Sequence, residues 1–523
     1  MAIVALNNGK KKQEYQEGGK TVDIGSNIHV TKPGGTTYAK SAAGTTQTVD
    51  DYLDLLAEHG LTDTDLSLIH ICPNGLFGKN KLCCVDGTAL YYGDSIVGRV
   101  EDSPKTFVSM GAYLLVFPDK LCYNTETEEL TPLENRYVGE GGTISFTKSS
   151  IKTTGPAFTG FKAYDGVTIS GSSAEGNNKT AVILSVAEKE LAFSENIFTE
   201  SSEAGAVTIA REVPDLEFAV ESDNRVWGCA GHEILSSKLG DPFNWQCYEG
   251  LSTDSYAVTV GTDGPFTGAA VHQGYVLFFK ENCIHKVYGS KPSNFQVSAS
   301  TARGVKKGAE KSLCQVDDVL YYLSPAGAAA YGGGTPESLA APFGGVEYEN
   351  AVGGGWRGKY YLSMQEAGGG DWSLFVYDTE KGLWQREDRT HALWFAGCGG
   401  ELFFIDGLDS TIKTVAGDGP ERIFWEAQFG DMAEGEPDFK TALRLQINLE
   451  LARGAFCEVW LRYDGEAGWE RAFSIPESPR RRSWTVPVIP RRYGHFALKL
   501  TGGGEFTLFS VSRTVEGNSE LGG

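Results

Sequence analysis

The chain has 523 residues and a formal net charge of −22, with 66 Gly, 22 Tyr and 27 Phe against 4 Met. This length exceeds what one hydrophobic core supports, so it predicts several domains or a closed repeat architecture. The glycine- and aromatic-rich composition favours short strands joined by tight turns. Residues 440–523 carry 12 basic and 9 acidic side chains, or +3, which leaves −25 for the rest. Such acidity argues against a protein that grips the nucleic-acid backbone.

The N-terminal region has little to bury. Residues 1–60 are rich in Gly, Thr, Lys and Gln and predict an extended arm, in which only "VDDYLDLLAEHG" indicates a short helix. The opening "MAIVALNNGKKKQ" places its charges after the apolar start, the reverse of a secretory signal, and no apolar run is long enough to span a bilayer. We therefore expect synthesis in a cytoplasm and no membrane partner.

A strand–turn–strand unit rich in aromatic residues recurs seven times, beginning near residues 81, 112, 224, 274, 318, 358 and 400. The last five positions are 50, 44, 40 and 42 residues apart, which is the period of a four-stranded propeller blade. The sequence thus predicts a β-propeller of six or seven blades over residues 61–134 and 215–420. The first two units are only 31 residues apart, which predicts an opening blade that is incomplete or closed by strands from elsewhere.

Two further β domains are expected. The excess length between the second and third units predicts an inserted, barrel-like β domain at residues 135–214, with short apolar strands separated by Gly, Asn and Ser turns. Beyond residue 420, apolar and polar residues alternate strictly, which predicts a C-terminal β-sandwich over residues 421–523. The alternating apolar positions are Leu443, Leu445, Ile447, Leu449 and Leu451, and then Cys457, Val459, Leu461 and Tyr463. The predicted fold class is all-β.

Candidate catalytic and metal-binding residues are sparse. Turn aspartates occur in several blades, and backbone geometry alone explains them; they are Asp86, Asp119, Asp241 and Asp406. His232 lies in a turn without a second ligand at metal spacing, and Cys283 and His285 alternate on one strand, too few for a metal site. Asp63 and Asp65 in "TDTDLS" lack the glycine and the distant glutamate of a calcium loop. We expect no catalytic residue, no metal and no cofactor, and hence no enzyme.

No cysteine lies in a C-x-x-C pair, which leaves zinc ribbons and thioredoxin-like sites without support. We interpret the cysteines as small buried hydrophobes; those considered are Cys83, Cys84, Cys229, Cys283 and Cys457. Arginines of the C-terminal region are the candidate contacts for an acidic or anionic partner, with a solvated strand edge that discourages aggregation as the alternative; they are Arg480, Arg481, Arg482, Arg491 and Arg492.

The most specific phrase is "RVWGCAGHEILSSKLGDPFNW" at residues 225–245, and its distinctive positions are Arg225, Trp227, Gly228, Gly240, Asp241, Pro242 and Trp245. Together with "DGTALYYGDSIVG", "YVLFFKENCIHKVYG" and "PVIPRRYGHFALKLTGGGEF", it resembles the tail stabilisation, or plugging, proteins of tailed bacteriophages, over most of the chain from about residue 65. The similarity implies a virion protein that forms a homo-oligomeric ring, with six-fold symmetry expected, below the portal and adaptor.

That resemblance further implies contacts with the portal, the adaptor and other tail proteins, and a channel through which genome DNA passes without sequence-specific binding. The family has no catalytic residue or cofactor to carry over. Two alternatives remain open from the sequence: a propeller-based tail-tip protein that binds a host receptor or glycan, and a propeller glycosidase.

Overall fold

The protein is almost entirely β-structure. The computed structural model describes the backbone of five short strands between residues 4 and 40, and then residues 73–205, 207–416, 424–430, 432 and 439–517. Within these ranges, helical structure is limited to four 3-10 turns, at Glu175–Asn177, Pro292–Asn294, Glu310–Ser312 and Ala341–Phe343. The chain divides into two compact units, one of residues 4–416 and the other of residues 417–523 with 1–3. The predicted all-β class is confirmed.

The range predicted as an extended arm contains five strands, which are β1 (Val4–Ala5), β2 (Glu14–Glu17), β3 (Lys20–Ile24), β4 (Ile28–Thr31) and β5 (Thr37–Lys40). Strands β2 to β5 pair in order as an antiparallel meander. The structure thus differs from a simple extended arm, because Thr, Val and Ile recur in these segments and favour strands. The helix predicted within residues 49–60 and the residues Asp63 and Asp65 lie outside the described residues.

Seven four-stranded antiparallel sheets follow the order of a propeller. We number them as blades in chain order. Blade 1 contains β6 (Pro73–Gly78), β7 (Leu82–Asp86), β8 (Ala89–Tyr92) and β9 (Ser95–Arg99), and blade 2 contains β10 (Thr106–Met110), β11 (Tyr113–Phe117), β12 (Leu121–Asn124) and β13 (Glu129–Pro132).

The inserted domain comes between blades 2 and 3 and consists of two sheets. Its strands are β14 (Asn135–Val138), β15 (Thr143–Phe146), β16 (Ser150–Thr153), β17 (Gly166–Ser170), β18 (Thr180–Val182), β19 (Ser185–Ala187), β20 (Glu190–Ala192), β21 (Ser201–Ala204) and β22 (Thr208–Arg211). Sheet order is β14-β22-β17-β18 in one and β19-β20-β16-β15-β21 in the other. The two sheets share a core of its own, centred on Ile144, Ile151, Ile169, Leu191 and Ile209.

Blades 3 to 7 complete the propeller. Blade 3 has β23 (Phe218–Ser222), β24 (Arg225–Ala230), β25 (Glu233–Ser236) and β26 (Tyr256–Thr259); blade 4 has β27 (Gly268–His272), β28 (Tyr275–Lys280), β29 (Cys283–Tyr288) and β30 (Gln296–Thr301). Blade 5 has β31 (Cys314–Val316), β32 (Val319–Ser324), β33 (Gly327–Tyr331) and β34 (Glu337–Ser338); blade 6 has β35 (Tyr348–Trp356), β36 (Lys359–Glu366), β37 (Trp372–Asp378) and β38 (Leu383–Asp388). Blade 7 has β39 (Ala392–Cys398), β40 (Glu401–Asp406) and β41 (Ile412–Thr414), with β1 as its fourth strand.

Successive blades pack face to face through apolar side chains. Tyr92 of blade 1 lies against Tyr123 of blade 2, with ring centroids 5.4 Å apart. Blade 2 shares a core with Val226 and Trp245 of blade 3, and blade 3 shares one with Phe278 of blade 4. Blades 4, 5 and 6 share a continuous core. Each blade therefore covers the apolar face of the next, as a radial repeat requires.

Blade 7 packs against blade 1. Ala396 and Ile405 of blade 7 share a buried cluster with Leu76 and Tyr91 of blade 1. The outer strand of blade 7 comes from the N-terminal region, since Val4 and Ala5 pair antiparallel with β41. A strand supplied from elsewhere in the chain thus completes blade 7, and not blade 1 as the short first spacing predicted. Blade 1 holds four strands within residues 73–99 because its turns are short.

The second unit is a sandwich of two four-stranded sheets, as predicted. One sheet has the order β42-β48-β44-β45, and in the other β43 pairs with β46, β47 and β49. The strands are β42 (Phe424–Gln428), β43 (Lys440–Leu451), β44 (Phe456–Tyr463), β45 (Glu470–Ile475), β46 (Ser478–Val486), β47 (Arg492–Tyr493), β48 (Phe496–Gly503) and β49 (Phe506–Gly517). Its core combines buried residues of β43, β44 and β48.

One position departs from the predicted alternation. Leu445, Ile447, Leu449 and Leu451 are buried as expected, but Leu443 is 52% exposed. The pairing of β43 with β49 shifts register between Ala442 and Arg444. Because a one-residue shift moves side chains to the other face, Leu443 points to solvent and Ala442 takes the buried place.

Candidate functional site

The phrase at residues 225–245 forms a buried framework around a long loop of blade 3. Arg225 is 2% exposed. Its guanidinium donates hydrogen bonds to the carbonyl oxygens of Ser237 at 2.8 Å, Asp254 at 2.6 Å and Ser252 at 2.9 Å. Burial lowers the pKa of Arg225, which the nearby Asp254 partly opposes, but a guanidinium stays charged in proteins. One side chain therefore ties both ends of the loop 237–255 to strand β24.

Trp227 and Gly228 belong to the packing of the blade. The Trp227 ring makes an edge contact with Phe295 of blade 4, with centroids 5.0 Å apart. A Cβ atom at Gly228 would lie 2.6 Å from the side chain of Leu216, a distance that real Cβ contacts do not show. The glycine leaves room for the Leu216 side chain, which would have to shift if a Cβ were present.

The Gly-Asp-Pro segment closes a turn inside that loop. Gly240 has a φ of +74°, which a glycine adopts without strain. The Asp241 carboxylate accepts the backbone N–H of Phe243 at 3.0 Å, and the Trp245 indole donates to the carbonyl oxygen of Pro242 at 2.9 Å. The turn is thereby fixed by its own side chains.

Asn244 connects this turn to the inserted domain. Its side-chain oxygen accepts the N–H of Gly166 at 2.8 Å, and its Nδ2 donates to Asp165 at 3.1 Å and to Asp241 at 2.7 Å. Asp165 in turn pairs with Arg211 at 2.7 Å, and both side chains are buried. A buried, fully paired set of this kind holds two elements in one arrangement. We call Asp165, Arg211 and Asn244 the insert latch.

The insert latch was not predicted from the sequence. Asn244 lies within the quoted phrase but follows the turn as an ordinary polar residue, and Asp165 and Arg211 are 79 and 33 residues away from it along the chain. An aspartate in a Tyr-Asp-Gly turn signals only a turn. The density of turn residues around Asn244 indicated a structured loop. It gave no indication that Asn244 contacts Asp165 of the insert.

The candidate arginines of the sandwich fall into two groups. Arg480, Arg481 and Arg482 are exposed on β46, where the Arg481 guanidinium lies 4.1 Å over the Phe509 ring. Arg491 pairs with Glu466 and Glu470, and its hydrogen bond with Glu466 raises its pKa. Arg492 is exposed in β47.

The two groups do not form one surface. In the backbone ladder, Arg482 lies opposite Leu449 of β43, and Arg492 lies opposite Thr441 of the same strand. Eight strand residues at about 3.3 Å each separate these positions by about 26 Å. The five arginines are therefore two separate basic sites, one of which is engaged by glutamates.

The turn aspartates serve their own loops or neighbouring cations. Asp119 accepts the N–H of Glu101 at 2.5 Å and pairs with buried Lys105 at 2.6 Å. Asp406 accepts the N–H of Leu408 at 2.9 Å and pairs with Lys413. Asp86 is fully buried at the end of β7. Asp119 and Asp406 thus combine a turn role with an ion pair, which backbone geometry alone did not predict.

His232 is exposed in its turn, and its carbonyl oxygen accepts the N–H of Val260. The buried His285 ring bonds the hydroxyl of Thr262 at 2.9 Å and lies 4.0 Å from the Cys283 sulfur. Among the described residues, no group of three or more His, Cys, Asp or Glu side chains is arranged for a metal ion. Nor is any helix in those ranges long and apolar enough to cross a membrane.

Most of the cysteines considered are buried, as interpreted from the sequence; Cys283 is half-buried. Burial raises the pKa of Cys83 and of Cys457 to about 12. A thiol with so high a pKa is protonated at neutral pH and is a poor nucleophile. These side chains act as small packing groups.

Comparison with known proteins gives a likeness of fold. No family model matches the chain, and no curated protein matches it. Among solved structures, the chain is similar to an exo-β-1,3-galactanase from Phanerochaete chrysosporium at 10% identity and a TM-score of 0.20, over 56% of this chain and 95% of that one. It is similar to the phage phi92 endosialidase at 10% identity and a TM-score of 0.20, over 76% and 61% of the two chains. A bifunctional GH43-CE protein from Bacteroides eggerthii is similar at 10% identity and a TM-score of 0.20, over 59% and 63%.

One prediction is corrected by these findings. The sequence analysis predicted that the chain is not an enzyme, whereas the similar solved structures include glycoside hydrolases and an endosialidase. The exclusion of catalysis is therefore wrong as a conclusion from this fold and is not retained. At these identities and TM-scores the likeness extends to the fold alone.

Proposed function

We propose that this protein is a structural component of a tailed-bacteriophage particle, which assembles as a homo-oligomeric ring in the tail or neck and extends the DNA channel. The observation that carries the proposal is the role of the phrase at residues 225–245, the most specific part of the resemblance to tail stabilisation proteins. Arg225 and the Asp241 turn fix the blade 3 loop, and Asn244 joins that loop to the insert. The buried, ordered role of this phrase in blade 3 supports the proposal.

The charge distribution supports the same role. Residues 1–439 carry a net charge of −25. An acidic wall disfavours the sticking of DNA phosphates while leaving transit open. We further propose that the ring contacts the portal, the adaptor and other tail proteins.

A genetic test of this proposal uses particles assembled without the protein. Virions of the source phage that lack this gene should package DNA but lose it on storage, and expression of the intact protein in trans should restore genome retention. Expression of a Leu408→Ser variant, at an exposed leucine of blade 7, serves as a control that leaves the blade 3 framework and the candidate arginines untouched. Full retention of DNA and full infectivity without the protein would contradict the proposal.

A second function, recognition of a host receptor or glycan, is favoured by one surface. Five large apolar side chains are exposed on the insert and on the blade 3 loop 237–255: Tyr164, Leu184, Leu239, Tyr248 and Leu251. Tyr164 is 60% exposed and has a φ of 72°, a strained conformation for a bulky residue, and Lys238 donates to its carbonyl oxygen. Exposed aromatic residues at one site are typical of binding surfaces.

A binding screen distinguishes this second function. The intact protein should bind host envelope extract, and the double variant Tyr164→Ser and Tyr248→Ser should abolish binding without a change in unfolding temperature. Leu383→Ser, at an exposed leucine of blade 6, is the matched control. Equal binding by the double variant and the control would exclude this surface.

A further inference from the structure

The outer strands of the blades differ in how their free edges are protected. An outer strand presents unpaired N–H and C=O groups, which charges, prolines, bulges or short length usually guard. Strand β9 contains Arg99 and a register shift, β13 contains Glu129 and Pro132, and β38 contains three charged residues and a register shift. Strands β1 and β34 have two residues each. These five edges are guarded, and the outer strand of blade 3, β26, is short at four residues.

Strand β30 of blade 4 has none of these guards. It is six residues long, with the sequence QVSAST, and pairs with β29 through six consecutive residue pairs without a register shift. All of its residues except Val297 are exposed, and it ends the sheet order β27-β28-β29-β30. It is therefore an open edge of regular geometry.

The register identifies which amides face outward. The N–H of Ala302 donates to the carbonyl oxygen of Asn282 in the adjoining turn. Ala302 and Asn282 are therefore a hydrogen-bonded pair that continues the ladder between β29 and β30. Because such pairs alternate along an antiparallel ladder, Ser300, Ser298 and Gln296 face β29. The N–H and C=O groups of Val297, Ala299 and Thr301 point away from the sheet.

Basic side chains lie near this edge. Residues 280–311 contain seven Lys or Arg and two Asp or Glu. Three of the lysines do not serve the edge, because Lys280 is buried and the ammonium groups of Lys306 and Lys311 donate to carbonyl oxygens of Tyr348 and Leu393. Lys291 and Arg303 are exposed; Lys291 precedes the strand by five residues and Arg303 follows it by two. On β29, the Lys286 ammonium lies 3.7 Å over the Tyr275 ring and 5.2 Å over the Tyr288 ring.

These charges indicate which kind of chain could pair with β30. If β30 paired antiparallel with its copy on a second molecule in the register centred on Val297, Lys291 of one chain would lie towards Arg303 of the other, and the like charges would repel. An extended segment with carboxylates would instead gain both edge hydrogen bonds and charge pairs. We propose that β30 is a docking site for an extended acidic segment of a partner protein, which adds a fifth strand to blade 4. This inference goes beyond the ring function and does not depend on it.

The test measures binding of a labelled synthetic peptide of alternating valine and glutamate, blocked at both ends, to the full-length protein by fluorescence anisotropy. The matching valine–lysine peptide is the charge control. Ala299→Pro removes one outward N–H without touching the ladder to β29, so we expect a loss of affinity of roughly tenfold for the acidic peptide. The double variant Lys291→Glu and Arg303→Glu should lose at least as much and should weaken the salt dependence of binding.

The matched control is Ala257→Pro. Ala257 has the same outward orientation on β26 of blade 3, because the N–H of Val260 donates to His232 three pairs further along the ladder, just as the Ala302 N–H donates to Asn282 three pairs beyond Ala299. It should leave peptide affinity unchanged. Hydrogen exchange at residues 296–301 should slow when the acidic peptide binds. The proposal is overturned if the lysine peptide binds as well as the acidic one, if charge reversal has no effect, or if the protein dimerises through β30 in place of binding peptide.

Discussion

Asn244→Asp gives the sharpest test of the insert latch. The substitution keeps the shape of the side chain but replaces its amide, which donates to Asp165 at 3.1 Å and to Asp241 at 2.7 Å, with a carboxylate. Three carboxylates would then meet in a site where Asn244 is 1% exposed and Asp165 is 3% exposed. We expect the attachment of the insert to blade 3 to weaken.

The loss of unfolding free energy depends on how the variant site responds: it either keeps all its carboxylates charged or binds a proton. At an effective dielectric constant of about 20, two charges about 3 Å apart repel by about 5 kcal/mol. The site avoids this repulsion by binding a proton, which at pH 7 costs about 4 kcal/mol for a group with an ordinary pKa near 3.9. The cheaper route sets the electrostatic penalty at about 4 kcal/mol, and the lost hydrogen bonds add about 1 kcal/mol.

The dependence on pH separates this effect from simple loss of packing. The shared carboxyl site has its pKa raised above its value in the unfolded chain, so its destabilisation is present at pH 7 and disappears as the pH falls towards about 4. Asn244→Ala leaves the Gly166 N–H without its acceptor and costs about 1–3 kcal/mol at both pH values. Urea unfolding of each variant, measured against the unsubstituted protein at pH 7 and at pH 4.5, should show this contrast. Equal effects of the two variants at pH 7 would refute the reasoning.

Three further predictions concern packing, titration and surface charge. In blade 6, Gly354→Ala places a Cβ 2.8 Å from a phenylalanine of blade 7 and should cost about 1–3 kcal/mol of unfolding free energy, whereas Gly397→Ala, whose Cβ has open space, should be tolerated, as thermal unfolding would show. Burial lowers the pKa of His285 below 6.5, so stability should be lost as the pH falls below about 6.5; the unfolding temperature of His285→Gln should depend less on pH from 7.5 to 5.5, and an identical slope would count against a buried neutral imidazole. Arg491→Ala should destabilise the sandwich by up to about 1 kcal/mol through the loss of its glutamate pairs, and Arg480→Ala should change the unfolding temperature little, so a larger effect at the second position would contradict the assignment.

The sequence predicted the repeat and the class of each domain because these depend on local patterns. Every one of the seven repeat units contains the two central strands of a blade, since apolar strands and turn residues encode a hairpin within about 20 residues. The strict alternation after residue 440 likewise predicted the sandwich. It failed at Leu443, where a register shift within β43 against its partner β49, invisible in the sequence, decides which face the side chain takes.

Long-range pairings were beyond reach. Nothing in Val4 and Ala5 indicates that they complete blade 7, some 410 residues later. The insert latch joins residues on two domains, and its members look like common turn and strand residues. The five arginines were grouped by sequence, but antiparallel pairing along β43 places Arg482 and Arg492 about 26 Å apart.

The copy number of this protein in virions purified from its source tests the proposed ring most directly. Quantitative mass spectrometry against the portal and major capsid proteins should give a ratio of one ring of this chain to one portal ring, because stacked rings in a particle share an axis of symmetry. Absence of the protein from the particles, or a copy number unrelated to that of the portal, would contradict the account.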